Sequence, residues 1–369
     1  MKQNKKHITF FISSMSSGGA EHQVAILSNL LVDCGYRVTI TTFGDNDDHY
    51  SLNSEIRRVR LAEGKSKIIK FFTILWYFLT ITTDVVISFG QRENFLSLIP
   101  LCFRRIRVIA GERSLSIGKQ SLRTKFLHKV LYRRVNVVVS NSYSQREYLV
   151  SSIPQLASKV ITITNYTDLQ HFAYRIPPCN DIIRIGIFGR YNIAKNYERL
   201  IQVVGVLKQN GYSQFRIDCY GNHHLRGGQM NEDYLKYKDL VKKMGVGDII
   251  YLNDHVRNVA EKISMFDIIC LPSLWEGWSN AISEAICSGK PMLVSNVSDN
   301  SRMVHNGVNG FLFDPKSIDD MVGAFEKMFA LDKDTIEAMG RESRKLAEKL
   351  FDKEQFITKY IQLIENSYE

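Results

Sequence analysis

No stretch of this chain stays apolar for long enough to cross a bilayer. A spanning helix needs about 18 apolar residues in a row. The nearest approach, 68-IIKFFTILWYFLTIT-82, is interrupted by Lys70 and several threonines. An apolar run also follows the basic start MKQNKK, but residues 8–12 are too few for the core of a signal peptide. Paired cysteines are missing too. Cys34, Cys102, Cys179, Cys219, Cys270 and Cys287 are scattered with no C-x-x-C, which argues for small core side chains in a reducing compartment rather than a disulfide framework or a zinc ribbon. These absences predict a cytoplasmic protein that meets a membrane, if at all, from the inner face.

Acids are scarce in one half only. Residues 1–175 hold 24 Lys/Arg against 12 Asp/Glu, a net of +12, and residues 176–369 hold 24 against 26, a net of −2. A first half so basic predicts an anionic partner, whether nucleic acid, phosphorylated lipid or a membrane surface. Zinc-finger spacing, an RNP-like strand and a helix-turn-helix pattern are all missing, so nucleic acid is the poorer candidate.

What is present is alternation. Short β-branched runs at 7–12, 38–43, 84–89, 106–110, 136–140 and 160–164 are separated by helical patterns, and the pattern repeats at 182–188, 215–220, 249–252, 267–271, 291–295 and 310–313. The runs are continuously apolar, as expected of strands covered on both faces. Among the helical stretches are 20–34, 122–134, 197–209 and 281–288. Such alternation predicts parallel βαβ sheets, and the length predicts two domains. Residues 168–182, with Pro177-Pro178 and no periodicity, read as the linker. The expectation is an α/β protein of two Rossmann-like, doubly wound domains, 1–175 and 176–369, facing across a cleft, with the last helix a candidate to pack back on the first domain. The run Phe71-Phe72 to Trp76-Tyr77-Phe78 reads foremost as part of a core helix and secondarily as a source of interfacial aromatics.

In open α/β sheets ligands gather beyond the carboxyl ends of the strands. After the first strand comes 16-SSGGAEH-22, where Gly18-Gly19 opens a helix. That suits an anion at a helix N-terminus or, equally, a plain tight turn; it is not G-x-G-x-x-G, so a dinucleotide fingerprint is absent. In 185-IGIFGRYNIAKNYERLIQVV-204 the cations Arg190 and Lys195 lie between a strand and a helix. They suit a diphosphate, the alternative being a solvated loop. In 275-WEGWSNAISEAICSGKP-291, Glu276 lies in the loop after a buried strand, Ser279-Asn280 reads as a helix cap, and Glu284 lies at least a turn into the helix. A carboxylate accepts both hydroxyls of a ribose diol, and the helix start between the acids offers N–H groups to phosphate. Two surface glutamates are the bland alternative.

With these residues in place, the chain resembles the retaining GT-B glycosyltransferases of family 4. The resemblance runs over 18-GGAE-21, 139-VSNSYSQREYL-149, 165-NYTD-168, 188-FGRYNIAKN-196 and 271-LPSLWEGWSNAISEAICSGKPMLVSNV-297, followed by 305-HNGVNGFLF-313. It implies that Arg190 and Lys195 neutralise the departing diphosphate of a nucleotide sugar, that Glu276 contacts the donor sugar and that Glu284 takes the ribose. It further implies that Gly19 lets the first loop approach the donor, and that Gly277, Ser279 and Asn280 belong to the donor site. No metal or cofactor is implied, and the D-x-D at 45–47 reads as a polar turn. The implied reaction moves a hexose or N-acetylhexosamine, from UDP by family habit, to a glycan on polyprenyl diphosphate. A nucleotide-sugar epimerase or hydrolase, or a non-catalytic nucleotide- or membrane-binding scaffold, are the alternatives.

Two departures stand out. The usual N-G-[VI]-D turn is Asn165-Tyr166-Thr167-Asp168, and 111-GER-113 replaces a common histidine. Glu112 and Arg113 are acceptor-side candidates or, equally, a structural ion pair. In 121-SLRTKFLHKVLYRR-134, Lys125, Lys129 and Arg133 run beside Leu122, Phe126 and Val130, which predicts a helix on an anionic membrane or on the acceptor's diphosphate.

Overall fold

The computed structural model describes residues 5–16, 18–44, 48–113, 121–175, 182–225 and 228–366. The D-x-D at 45–47 and the Pro177-Pro178 pair lie outside the described residues. The chain divides into two compact units, one formed by Met1–Tyr166 with Lys353–Glu369 and the other by Thr167–Asp352. The division thus falls ahead of the 168–182 segment, and the C-terminal residues count with the first unit.

In the first unit the order is β1 (His7–Ile12), α1 (Gly19–Asp33), β2 (Arg37–Thr42), β3 (Arg57–Arg60), α2 (Lys67–Thr80), β4 (Val85–Phe89) and α3 (Gln91–Leu101). Then come β5 (Arg107–Glu112), α4 (Leu122–Lys129), β6 (Val137–Ser140), α5 (Tyr143–Ser152) and β7 (Val160–Thr162). The seven strands pair in the order β3-β2-β1-β4-β5-β6-β7, every pair parallel. Strands β1 and β4 are buried nearly throughout, because helices on both faces leave no side for water.

The second unit contains β8 (Ile183–Phe188), α6 (Tyr197–Gln209), β9 (Phe215–Tyr220), α7 (Glu232–Met244), β10 (Ile250–Asn253), α8 (Val259–Ser264) and β11 (Ile268–Leu271). It continues with α9 (Asn280–Cys287), β12 (Met292–Ser295), β13 (Gly310–Phe313), α10 (Ile318–Phe329) and α11 (Lys333–Leu350). Its six strands run β10-β9-β8-β11-β12-β13, again all parallel. The chain's last helix, α12 (Lys353–Glu365), belongs to the first unit. Two doubly wound Rossmann-like sheets are the α/β architecture that the strand–helix alternation predicts.

The chain after the division is pinned by side chains of the second unit, Lys290 donating to the Arg175 carbonyl at 3.3 Å. Arg344 on α11 donates to the carbonyls of Leu169 (3.1 Å), Phe172 (3.1 Å) and Cys287 (2.7 Å). The last of these caps the C-terminal end of α9, where a cation offsets the orphan carbonyls.

Three local expectations change. The helix expected over 122–134 ends at Lys129, and Leu131–Arg133 is a 3-10 turn beyond Val130, so Arg133 leaves the row of Lys125 and Lys129. Strand β3, RRVR, is an edge strand that its three arginines hide from a hydrophobicity reading. Helix α2 is a core helix on one side only: Ile74 and Phe78 are buried with Tyr77 packed beside them, while Ile68, Ile69, Phe72, Trp76 and Leu79 are exposed.

Candidate functional site

The strand order of the second unit reverses between β8 and β11, which run side by side with Ile268 beside Ile185 and Ile269 beside Gly186. The loops leaving their carboxyl ends therefore start as neighbours, where open α/β sheets bind ligands.

The loop after β8 is shaped by local hydrogen bonds. The Asn192 side chain accepts from the Lys195 amide at 3.2 Å and caps a 3-10 turn, Ile193–Lys195. Asn196 follows in the left-handed region, at φ 56°, a conformation asparagine tolerates better than most residues. Its amide donates to the Pro315 carbonyl at 2.9 Å. Gly189 makes room for the lysine: a Cβ there would stand 3.2 Å from Lys195 Cε.

The second loop is stitched to the first. The Leu274 amide donates to the Ala194 carbonyl at 2.8 Å. Lys195 Nζ then lies 2.5 Å from Glu276 Oε1, and Ser273 Oγ donates to the same oxygen at 2.7 Å. Both charged side chains are mostly covered, at 19% and 14% exposure. The Ser298 hydroxyl fixes the glutamate backbone by donating to the Glu276 carbonyl at 2.6 Å. Two donors on one carboxylate oxygen fix the side chain, and Oε2 has none of these bonds. Arg190 is exposed and makes no ion pair with a described residue.

Gly277 leads into α9. Ser279 is its N-cap and accepts from the Ile282 amide at 3.4 Å, satisfying one of the end's orphan donors. The buried Trp278 indole donates to Ser283 Oγ at 3.1 Å, and that hydroxyl donates to the Ser279 carbonyl at 3.0 Å. The ring thereby fixes where the helix begins. Within α9, Ile282, Ser283, Ala285, Ile286 and Cys287 are buried, whereas Asn280, Ala281 and Glu284 are not fully so. Asn280 and Glu284, four apart, share one face. Burial raises the Glu284 carboxyl to about 8, with no cation among the described residues offsetting it.

The candidates in the first unit have different surroundings. Gly19 is the first residue of α1, after a Gly18 cap whose carbonyl accepts from the Tyr50 hydroxyl at 3.0 Å. Glu112 ends β5 fully buried and accepts from His128 Nε2 (3.1 Å), Gln91 Nε2 (3.2 Å) and the Tyr132 hydroxyl. Burial, and then the charge of Glu112, push the Tyr132 phenol far up. Arg113 turns elsewhere. It donates to Asn165 Oδ1 (3.1 Å) and the Tyr360 hydroxyl (3.0 Å), with its guanidinium 4.1 Å from the Phe89 ring centre. The Glu112–Arg113 ion pair held open above does not form: Glu112 ends β5 among His128, Gln91 and Tyr132, while Arg113, one residue past the strand, is taken up by Asn165 and Tyr360. Lys125 and Lys129 are exposed on α4.

Several participants escaped the sequence reading. Asn192 and Ser273 were findable, each three residues before a named site residue. Ser298, His128 and Tyr132 come from distant segments, and no local pattern marks them. Among the described residues, no group of three or more His, Cys, Asp or Glu side chains converges as metal ligands.

Comparison with known proteins gives this arrangement a class. Residues 180–346 match the family described as Glycosyl transferases group 1. The whole fold is that of GT-B glycosyltransferases. Anabaena HepE, solved with UDP and glucose, superposes with a TM-score of 0.84 at 16% identity, covering 98% of this chain and 99% of that one. A Campylobacter jejuni protein is 22% identical over 93% of this chain and 95% of its own length. It is named N-acetylgalactosamine-N,N'-diacetylbacillosaminyl-diphospho-undecaprenol 4-alpha-N-acetylgalactosaminyltransferase. An Escherichia coli UDP-Gal:alpha-D-GlcNAc-diphosphoundecaprenol alpha-1,3-galactosyltransferase is 42% identical over 17% of this chain and 16% of its own.

Proposed function

We propose that this chain is a retaining glycosyltransferase of family 4. In this reading it moves a hexose or N-acetylhexosamine from a nucleotide diphosphate sugar, with UDP as the carrier, to a glycan on polyprenyl diphosphate in bacterial surface polysaccharide synthesis. It works at the cytoplasmic face of the membrane. The observation that carries the reading is the Lys195–Glu276 pair at 2.5 Å, where the loops after two adjacent parallel strands meet, with Arg190 unpaired among the described residues. The relatives named for transfer to diphospho-undecaprenol glycans support the acceptor class, and the UDP-bound neighbour supports the carrier.

Each residue then has a task. Arg190 and Lys195 offset the charge that grows on the diphosphate as the bond to the anomeric carbon breaks, an electrostatic contribution worth most in a water-poor site. Glu276 binds the sugar through the carboxylate oxygen that Lys195 and Ser273 leave open. Glu284 accepts the ribose hydroxyls, and the N-terminus of α9, from Gly277 through Ser279 and Asn280, attracts phosphate. Gly19 admits the donor to the first unit's loop. The acceptor hydroxyl attacks the face that the diphosphate leaves, and a diphosphate oxygen takes its proton. Glu112 and Arg113 hold the end of β5 for the acceptor, and Lys125 and Lys129 meet the acceptor's diphosphate. The cationic side chains do the work of a metal here, so activity persists in EDTA.

The test is incubation with labelled UDP-sugars and a short-chain polyprenyl-diphosphate glycan. An α-linked product from an α-linked donor, formed in EDTA, is expected. Turnover of donor without acceptor would replace this reading by a hydrolase or epimerase, and nucleotide binding without turnover by a scaffold.

A further inference from the structure

We propose that α2 is an interfacial membrane anchor, lying in the plane of an anionic bilayer with Ile68, Phe72, Trp76 and Leu79 among the acyl chains. It deepens the membrane reading above by naming the contact element, and its test does not depend on catalysis.

The first observation is an inversion of the usual burial. In α2 the face toward the sheet is narrow, buried only at Ile74 and Phe78. The opposite face is apolar and uncovered: Ile68, Phe72 and Trp76, spaced by four, are 71%, 62% and 70% exposed, with Leu79 completing the arc. Residues spaced i, i+4, i+8 line one side of a helix. Leaving two aromatic rings and two aliphatic chains in water on one contiguous side is unusual for a surface with no partner.

The second observation repeats the first on a neighbouring helix. On α4 and its C-cap, Leu122, Phe126 and Val130 follow the same spacing and are exposed. The two helices are joined through α3, which contacts both, and the Phe95 ring of α3 lies 6.4 Å from that of Phe126. The first unit therefore carries two exposed apolar rows, on helices that share α3 as a neighbour.

Charge selects the occupant. Residues 64–83 contain three lysines and no acid, and residues 121–134 contain five Lys/Arg and no acid. Arg104 ties this rim to α2 by donating to the carbonyls of Leu79 and Ile81 at the helix end. A second copy of the chain would bring like charges together around the same patch. A nucleic acid would leave the aliphatic rows in water. An anionic bilayer satisfies both, with phosphates on the cations and acyl chains on the rows. At 14 residues α2 is about 21 Å long, short of the roughly 30 Å of a hydrocarbon core, so it lies on the membrane rather than across it.

The test is flotation of the full chain with phosphatidylglycerol-containing vesicles and with phosphatidylcholine vesicles, no substrate present. Partitioning is expected on anionic vesicles and to fall at least about tenfold in Phe72→Ser/Trp76→Ser. The melting temperature should hold, because both side chains are exposed. Lys125→Gln/Lys129→Gln should lower partitioning on anionic vesicles alone, by roughly fivefold per charge. Brominated lipid should quench fluorescence in the wild type, and Trp76→Phe should abolish most of that quenching. Unchanged partitioning of the double variant overturns the proposal. So does self-association, or nucleic-acid binding, that Phe72→Ser/Trp76→Ser abolishes while vesicles are ignored. Transfer to a water-soluble acceptor by a chain that ignores vesicles would sink this inference and leave the transferase reading intact.

Discussion

Each unit places a glutamate at the carboxyl end of its parallel sheet, and the two are held in opposite ways. Glu276 follows β11 and shares one oxygen between an ammonium and a hydroxyl, remaining partly open. Glu112 ends β5 with no exposure and is held by an imidazole, a phenol and an amide. The donors of Glu112 form a continuous network: Asn94 donates to the Tyr132 hydroxyl at 2.8 Å and to the Gly111 carbonyl at 3.0 Å. A saturated buried network fixes backbone, whereas a half-satisfied, half-open carboxylate is available to a ligand. The same residue type is thus structural support in one unit and, in the function proposed above, a binding group in the other.

The largest expected effect breaks this comparison from the first unit. Glu112→Leu strands His128, Gln91 and the buried Tyr132 hydroxyl without their acceptor, and should cost about 3–5 kcal/mol of stability. Urea unfolding reads it. A loss under about 1 kcal/mol would mean that the network is not what holds β5. The second unit should behave in reverse. Lys195→Met and Glu276→Gln touch a mostly covered pair in loops outside the hydrophobic core, so each should cost less stability than Glu112→Leu, yet each should lower kcat/KM by about 100- to 1,000-fold. Steady-state kinetics beside a melting curve separates the two outcomes, and equal loss in both readouts would erase the distinction between the units.

Glu284 supplies a pH dependence. Its carboxyl titrates near 8 in the folded chain and near 4.5 when unfolded. Between those values the folded state holds a proton that the unfolded state has released. Its contribution to stability is therefore full below about 4.5 and is lost as pH rises toward 8. Glu284→Gln should flatten that decline, visible as a smaller drop in Tm from pH 5 to pH 8. A ribose diol favours the charged form, so UDP affinity in the wild type should rise toward pH 8, by at most about tenfold per unit. Calorimetric titration across that range checks it, and a flat profile would remove Glu284 from the nucleotide site.

Legibility followed distance along the chain. The sheets were legible because strands buried on both faces are continuous apolar runs, and β1, β4, β8 and β11 fall where such runs lie. The Ser279 cap and the Glu276 loop were legible because helix starts are local chemistry. What stayed hidden is contact between segments. Nothing near residue 112 announces His128 or Tyr132, and nothing near residue 276 announces Ser298. Arg113 is instructive: its neighbour in sequence is Glu112, yet its partners are Asn165 and Tyr360. Helix α2 was misread for a related reason. Its composition is that of a core helix, and only the fold reveals which of its apolar faces has no cover.

The smallest expected effect sharpens the comparison most. Ser142 caps α5 in the first unit, accepting from the Gln145 amide at 3.2 Å, and Ser279 caps α9 in the second, accepting from the Ile282 amide at 3.4 Å. Both are buried hydroxyls in the same local role. Replacing either by alanine should cost about 1 kcal/mol, the usual worth of an N-cap. The cap of α9 has a second task if phosphate sits at that helix end, since an anion there depends on how the first amides are presented. Ser279→Ala should therefore weaken UDP binding severalfold as well as lowering Tm, and Ser142→Ala should lower Tm alone. Thermal shifts with and without UDP measure both quantities in one experiment, because a ligand raises the midpoint by its own affinity. If the two variants lose the same UDP-induced shift, the helix end is not where the diphosphate binds; if Ser279→Ala alone loses it, two chemically equal caps are separated by function.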